Sequence, residues 1–348
     1  MEKGSDTIKD CVSNHGRTLD FRKGIAFRNP IILTVLGTLS LILLSTGALG
    51  STPGCPDCPD WVNFDSWWDR YHSSSADSEP SPSPRNLREI ALESREEGDD
   101  PSDMVYLEAE LLAQAGDDLS GRVILDARSP EEYGNGHLPG ARNLYWKEVR
   151  PGGVLNPGLA IKKLREIGLN ETDSVVISGN GDASAYLFWA LDYLGHEELC
   201  MLDGDISSID LELVQNAPLP QESNYIAKFK PWISVNGSTL EEVPENLTVQ
   251  IVDAQPSFAD YGMSHLQNSI YIRTDLVYSD PEGHTLKSAG ELEEFFSGRG
   301  LDREKVQLVY GTPDACSLYF ALKLMGYDAM VLDGDWWEET DIAVSSIS

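Results

Sequence analysis

The stretch Val175–Ser184, VVISGNGDAS, runs from an apolar, β-like segment through a glycine-studded turn into the helical pattern AYLFWALDYLG. A strand feeding a tight turn at a helix N-terminus gathers backbone amides, and such a turn can hold an anion or an activated nucleophile. Gly179, Asn180, Gly181, Asp182, Ala183 and Ser184 therefore form a candidate binding loop. Its glycines nearly spell the dinucleotide fingerprint G-x-G-x-x-G, but Ser184 stands where the third glycine belongs. The acid at about the right distance, Asp203, belongs to a different motif, so no nucleotide cofactor is expected.

Thiols are the other obvious source of chemistry. Five cysteines lie at positions 11, 55, 58, 200 and 316, too few and too irregular for a disulfide framework. Cys55 and Cys58 form a CPDC in a proline-flanked stretch, whereas a redox-active C-x-x-C sits at a strand-to-helix turn. A structural zinc site would need two further ligands, and no metal is expected. A local disulfide, a link between chains, no special role or a thiol relay are the readings of this pair. Cys200 falls in an apolar strand and reads as core.

These residues need a scaffold and an address. A formal charge of −31 over 348 residues excludes nucleic acid as a partner, because phosphate backbones demand basic surfaces. No charged residue occurs from Asn29 to Pro56, and Ile31–Gly50 is long enough to cross a hydrocarbon core of about 30 Å. The preceding tail is net positive, with Arg22, Lys23 and Arg28 nearest the span, and the first charges beyond it are Asp57 and Asp60. The positive-inside rule then puts the N-terminus in the cytoplasm and the rest outside; the segment reads as an uncleaved single-pass anchor, with cleavage as a signal sequence at Ala48–Gly50 as the alternative. Asn-x-Ser/Thr sequons at Asn170, Asn236 and Asn246 fit that export.

Beyond the span, an aromatic segment and the Ser/Pro-rich stretch SSSADSEPSPSPR form a stalk and linker. From about Met104 strands and helices alternate: VILDA, a short helix in EEYGNGH, a helix in NPGLAIKKLREIG, the strand SVVIS, the AYLFWALDYLG helix and the strand LCMLDGD. Such alternation predicts an α/β fold with a parallel sheet covered by helices. The pattern then recurs. RVILDARSPEEYGNGHLPGARNLYW is echoed by VQIVDAQPSFADYGMSHLQNSIYI, matching Asp126 with Asp253, Tyr133 with Tyr261 and His137 with His265. YLGHEELCMLDGD is echoed by LMGYDAMVLDGDWW. An offset of about 130 residues marks a tandem duplication of domain-sized units.

At these residues the chain resembles the rhodanese family of sulfurtransferases, in particular its tandem two-domain members. LDARSPEEYGNGHLPGARNL is similar to the family signature of Asp-x-Arg after a strand, then Glu-Tyr and Gly-His-x-Pro-Gly-Ala, and VLDGD is similar to its Leu-Asp-Gly-Gly. The resemblance implies two rhodanese-like domains, each a small parallel sheet with helices on both faces. The expected layout is a basic tail (1–30), a membrane span (31–50), stalk and linker (51–103), the first domain (104–215), a linker (216–228) and the second domain (229–345).

The resemblance also says what the opening loop should be. In active members its strand ends in a cysteine that takes a sulfane sulfur from a donor and passes it to an acceptor, its anionic forms stabilised by loop amides and a helix N-terminus. The family's spacing places Ser178 at that position, and a serine cannot form a persulfide. In the second copy, LVYGTPDACSLYFALKLMG, alignment on the shared Asp-Ala places Tyr310 there, and alignment on the strand end places Gly311. Cys316 follows a few positions later, near the first helical turn, either as a displaced sulfur acceptor or as a small buried residue.

Asp126, Arg128, His137, Asp253 and His265 could be an acid, an anion clamp and bases, but in this family such residues mainly brace turns. The loss of the arginine to Gln255 and of Pro-Gly-Ala to Gln267-Asn268-Ser269 puts that bracing in doubt in the second copy. Two functions are carried forward. One is a membrane-anchored, non-catalytic module binding a small anionic or sulfur-containing ligand or a protein partner. The other is sulfur transfer through Cys316.

Overall fold

A computed structural model describes residues 104–208, 210, 212–235, 248–334 and 344–345. The expected span at 31–50, the CPDC pair and two of the sequons lie outside the described residues. Among the described residues no helix is long and apolar enough to cross a membrane.

The first repeat carries β1 (Leu112–Ala113), β2 (Val123–Asp126), α1 (Pro130–Asn135), β3 (Arg142–Asn143), α2 (Pro157–Glu166), β4 (Val175–Ser178), α3 (Gly181–Tyr193) and β5 (Leu199–Leu202). The second carries β6 (Ser234–Val235), β7 (Val249–Asp253), α4 (Phe258–Met263), β8 (His265–Leu266), β9 (Ile270–Tyr271), the hairpin strands β10 (Tyr278–Asp280) and β11 (Thr285–Leu286), α5 (Ala289–Gly298), β12 (Val306–Tyr310), α6 (Asp314–Leu324) and β13 (Ala329–Leu332). A final strand, β14 (Val344–Ser345), pairs antiparallel with β8.

The strands β1-β5-β4-β2-β3 form one five-stranded sheet and β6-β13-β12-β7-β9 another, the same order twice, with every neighbour parallel. The apolar runs explain this. VVIS and LCML are buried at every position, as strands covered on both faces must be. Local chemistry sets the helix starts: Ser129 with Glu132 and Ser288 with Glu291 form capping boxes, and Asn156 and Asn180 each cap the amide three residues on.

The central helices α3 and α6 are buried along nearly their whole length, because each lies between its own sheet and the other helix. Phe188 meets Phe320 edge to face, with ring centres 4.8 Å apart. A single buried cluster runs from Leu125 and Val175 of the first repeat through these helices to Val252 and Val331 of the second. The two repeats thus share one core. The connection after β5 is tied down as well, with Tyr225 buried and the amides of Lys228 and Lys230 bonded to the carbonyls of Leu194 and Tyr193.

Candidate functional site

Register fixes the positions that correspond between the repeats. Ser178 pairs with Asp126 at the end of β4 and β2, and Tyr310 pairs with Asp253 at the end of β12 and β7. Ser178 therefore corresponds to Tyr310. The alternative at Gly311 is set aside, since that residue has already left the strand with a φ of +102°.

The signature residues act as braces. Asp126 is fully buried and accepts from the Arg128 amide (3.0 Å) and guanidinium (2.6 Å), which also donates to the Gly136 carbonyl. In the second repeat Gln255 takes the same posts. Its amide (2.8 Å) and Nε2 (2.9 Å) donate to Asp253, and Nε2 also reaches the Ser264 carbonyl. The arginine's loss puts this bracing in doubt, but in the structure a neutral side-chain amide of similar reach bonds the carboxylate and the Ser264 carbonyl. His137 stacks on Tyr133 with its Nδ1 on the Tyr133 carbonyl, and His265 stacks on Tyr261 in the same way. Both histidines are buried.

The first loop is smaller than the sequence suggests. Only Gly179 and Asn180 link β4 to α3, and Gly181, Asp182, Ala183 and Ser184 form the first turn of the helix. The six-residue cradle is closed because Asn180 caps the helix: its side chain takes the Ala183 amide and its carbonyl takes the Ser184 amide. The Gly181 amide donates to the carboxylate of Asp205 (2.9 Å), so the chain supplies its own anion there. The Ser178 hydroxyl is fully buried and donates to the Leu125 carbonyl, out of reach of any substrate.

The second loop carries no exposed thiol either. Tyr310 is fully buried; its hydroxyl accepts from the Leu266 amide (2.9 Å), donates to the Asp253 carboxylate, and lies 3.2 Å from the Ser269 hydroxyl. Burial raises Asp253 above the usual carboxylate value despite these donors. Between Tyr310 and α6 the chain turns through Gly311, Thr312 and Pro313, with a cis peptide before the proline and no side-chain cap on the helix. This loop is one residue longer than the first and α6 is two residues shorter than α3, which accounts for the shorter second stretch. Cys316 sits in the first turn of α6 but faces the core with no exposed surface. Burial, then Asp333, pushes its thiol well above the ordinary cysteine value, which overrides any help from the helix dipole. Cys200 is buried in β5, with Arg122 Nη1 3.1 Å from its sulfur.

A cavity of about 400 Å³ opens where the two loops approach each other. Asp182 of α3 lines it from the first repeat, and Arg273, Asp275, Tyr278, His284 and Asp314 line it from the second. Both of the basic side chains are already engaged, Arg273 with Asp275 (2.7 Å) and His284 with Asp205 (3.1 Å). Asp182 accepts from the Ser317 hydroxyl across the seam, and Asp314 is pushed up to about 6 by its burial and then by Asp182. The wall is acidic. Among the described residues no group of three or more His, Cys, Asp or Glu is placed to hold a metal ion.

Sequence reasoning did not single out Asp205, His284, Arg273, Asp275 or Asp314. One signal was available for the first: Asp205 stands where the Leu-Asp-Gly-Gly motif ends in glycine. The others contribute through contacts between distant segments.

Two parallel five-stranded sheets with helices on both faces and a seam at the carboxyl ends of the strands define the class of fold. Residues 108–212 match the rhodanese-like domain family. The 3-mercaptopyruvate sulfurtransferase of Escherichia coli strain K12 is 26% identical over 268 residues, covering 67% of this chain and 94% of that protein. Among solved structures, a 3-mercaptopyruvate sulfotransferase of Escherichia coli aligns with a TM-score of 0.55 at 24% identity, covering 63% of this chain and 94% of the other. An anaerobic ergothioneine biosynthesis enzyme of Chlorobium limicola aligns with a TM-score of 0.57 at 17% identity, covering 66% and 68%. The first repeat thus matches a rhodanese-like domain, and the chain shares its fold with these solved structures.

Proposed function

We propose that this protein is a membrane-anchored, extracytoplasmic pair of rhodanese-like repeats that binds a ligand or partner at the seam without persulfide turnover. The observation that carries this reading is Tyr310: the position of the family's nucleophile is filled by a buried phenol that braces Asp253 and the Leu266 amide. The first loop is filled by Asp205 in a comparable way. An acidic wall also disfavours anionic sulfur donors.

A second reading, sulfur transfer through Cys316, is favoured by the similar proteins, which are named sulfurtransferases. Those names support it above a binding module; the burial of both described thiols weighs the other way. Cyanide-dependent thiocyanate formation from thiosulfate or 3-mercaptopyruvate separates the two. The expected result is no turnover above the no-protein rate, and no cyanide-labile persulfide on Cys316 by mass spectrometry. Turnover that disappears in Cys316→Ser would establish the second reading instead.

The anchor belongs to the same proposal and rests on the uncharged stretch Asn29–Pro56 and its basic flank. The full chain is expected in the membrane pellet after alkaline carbonate extraction, and a chain starting at Met104 in the soluble fraction. Release of the full chain by carbonate would reject it.

A further inference from the structure

The hairpin β10–β11 reaches from the second repeat across the closed loop of the first. Its tip is held by two backbone-linked bonds: the Asp205 amide donates to the Gly283 carbonyl (2.7 Å), and the Leu286 amide donates to the Asp203 carboxylate (3.0 Å). A third link is ionisable. Asp205 gives one carboxylate oxygen to the Gly181 amide at the head of α3 and the other to Nδ1 of His284 (3.1 Å). The fit is close on both sides. His284 holds a left-handed backbone with φ +50°, and a Cβ added to Gly181 would fall 2.4 Å from the imidazole.

The charged groups acting most directly on this imidazole are acids, and Asp314 and Asp275 share its cavity wall. Asp205 and Asp182 come from the first repeat and Asp280 from the hairpin itself, while Tyr278 stands edge-on with ring centres 5.0 Å apart. Arg273, the basic side chain on the same cavity wall, is paired with Asp275. A protonated imidazole therefore joins carboxylates of both repeats, and a neutral one leaves them facing each other. His284 at the tip and Asp182 of the first repeat both line the cavity at the seam.

We propose that the β10–β11 hairpin is a proton-held strap, closed over the seam when the His284 imidazolium bridges to Asp205 and released at its tip when that proton leaves. The sign follows from the geometry. The hydrogen bond that His284 donates to Asp205 outweighs burial and raises His284 above its ordinary value of 6.5. The strap's contribution is thus complete below that value and lost as pH rises through the higher folded one. This inference is independent of whether the seam binds or turns over its ligand.

Amide hydrogen exchange on the full-length chain tests it, corrected for intrinsic exchange, between pH 5.5 and 8.5. Protection at Gly181, Asp205 and Leu286 is expected to fall about fivefold across one single-proton transition, while the Phe188 amide in the shared core stays unchanged. The imidazole resonances of His284, followed by NMR, are expected to titrate with the same midpoint. His284→Gln, which cannot take up a proton, is expected to show protection that no longer changes with pH, with Phe188 still protected. Wild-type protection that does not change with pH, a His284 midpoint that differs from the exchange midpoint, or a pH transition that persists in His284→Gln would each overturn the proposal. Should the glutamine variant lose protection at Phe188 as well, the wild-type exchange and imidazole midpoints decide alone.

Discussion

Replacing Asp192 with alanine is expected to destabilise the folded protein by about 3–5 kcal/mol, read as a loss of urea midpoint at neutral pH. Asp192 lies in the last turn of α3 and is 3% exposed. Its carboxylate accepts from Lys230 Nζ (2.7 Å), from Lys323 Nζ and from the Tyr319 hydroxyl (2.7 Å). Two of these donors belong to α6, so the bonds tie one repeat to the other. Truncation strands a fully buried phenol and two partly buried ammonium groups at the seam. Asp192→Asn keeps an acceptor and is expected to cost less. Burial pushes the Asp192 carboxyl up, but Lys323 and Lys230 overcome it and leave the group below the usual carboxylate value. Its stabilisation is therefore present above the unfolded value, about 3.9, and is lost as pH falls through the folded one. The gap between wild type and Asp192→Ala should shrink in strong acid. A gap that is the same at neutral pH and about pH 2 would contradict this assignment.

The second large effect concerns the strand end where the family keeps its nucleophile. Tyr310→Ala is expected to cost about 3–5 kcal/mol, as for other large aromatic truncations in a core. Tyr310→Phe keeps the packing and isolates the hydroxyl. It removes a donor from the buried Asp253 carboxylate and an acceptor from the buried Leu266 amide, at about 1–3 kcal/mol for such orphaned groups. Denaturation midpoints of the two variants separate packing from bonding. A phenylalanine variant as stable as wild type would show that the hydroxyl braces nothing, and the case for Tyr310 as a structural replacement would fall with it.

The sequence revealed the scaffold where local pattern determines it. The apolar runs VILD and VVIS, the repeated Asp-Ala and the apolar helix of Ala185–Gly195 located the sheets, the duplication and the strand-end position that Tyr310 occupies. The cradle was overread, because one side chain decides its size: Asn180 caps α3 and starts the helix early. The bracing of Asp253 was underread, because Gln255 matches Arg128 in reach and hydrogen-bond pattern although not in charge. The seam was hardly legible at all. His284 meets Asp205 across 79 positions and Lys323 meets Asp192 across 131, and no periodicity within a segment records such pairs.

The core that α3 and α6 share bears on how such a chain can change over time. One wall of α3, with Phe188 in it, is covered by α6 of the opposite repeat. Deleting either repeat would turn that wall outward as a wide apolar surface prone to association. Neither repeat is consequently free to be discarded. Each persists as the other's missing face, and a substitution on one wall must be accommodated by both together.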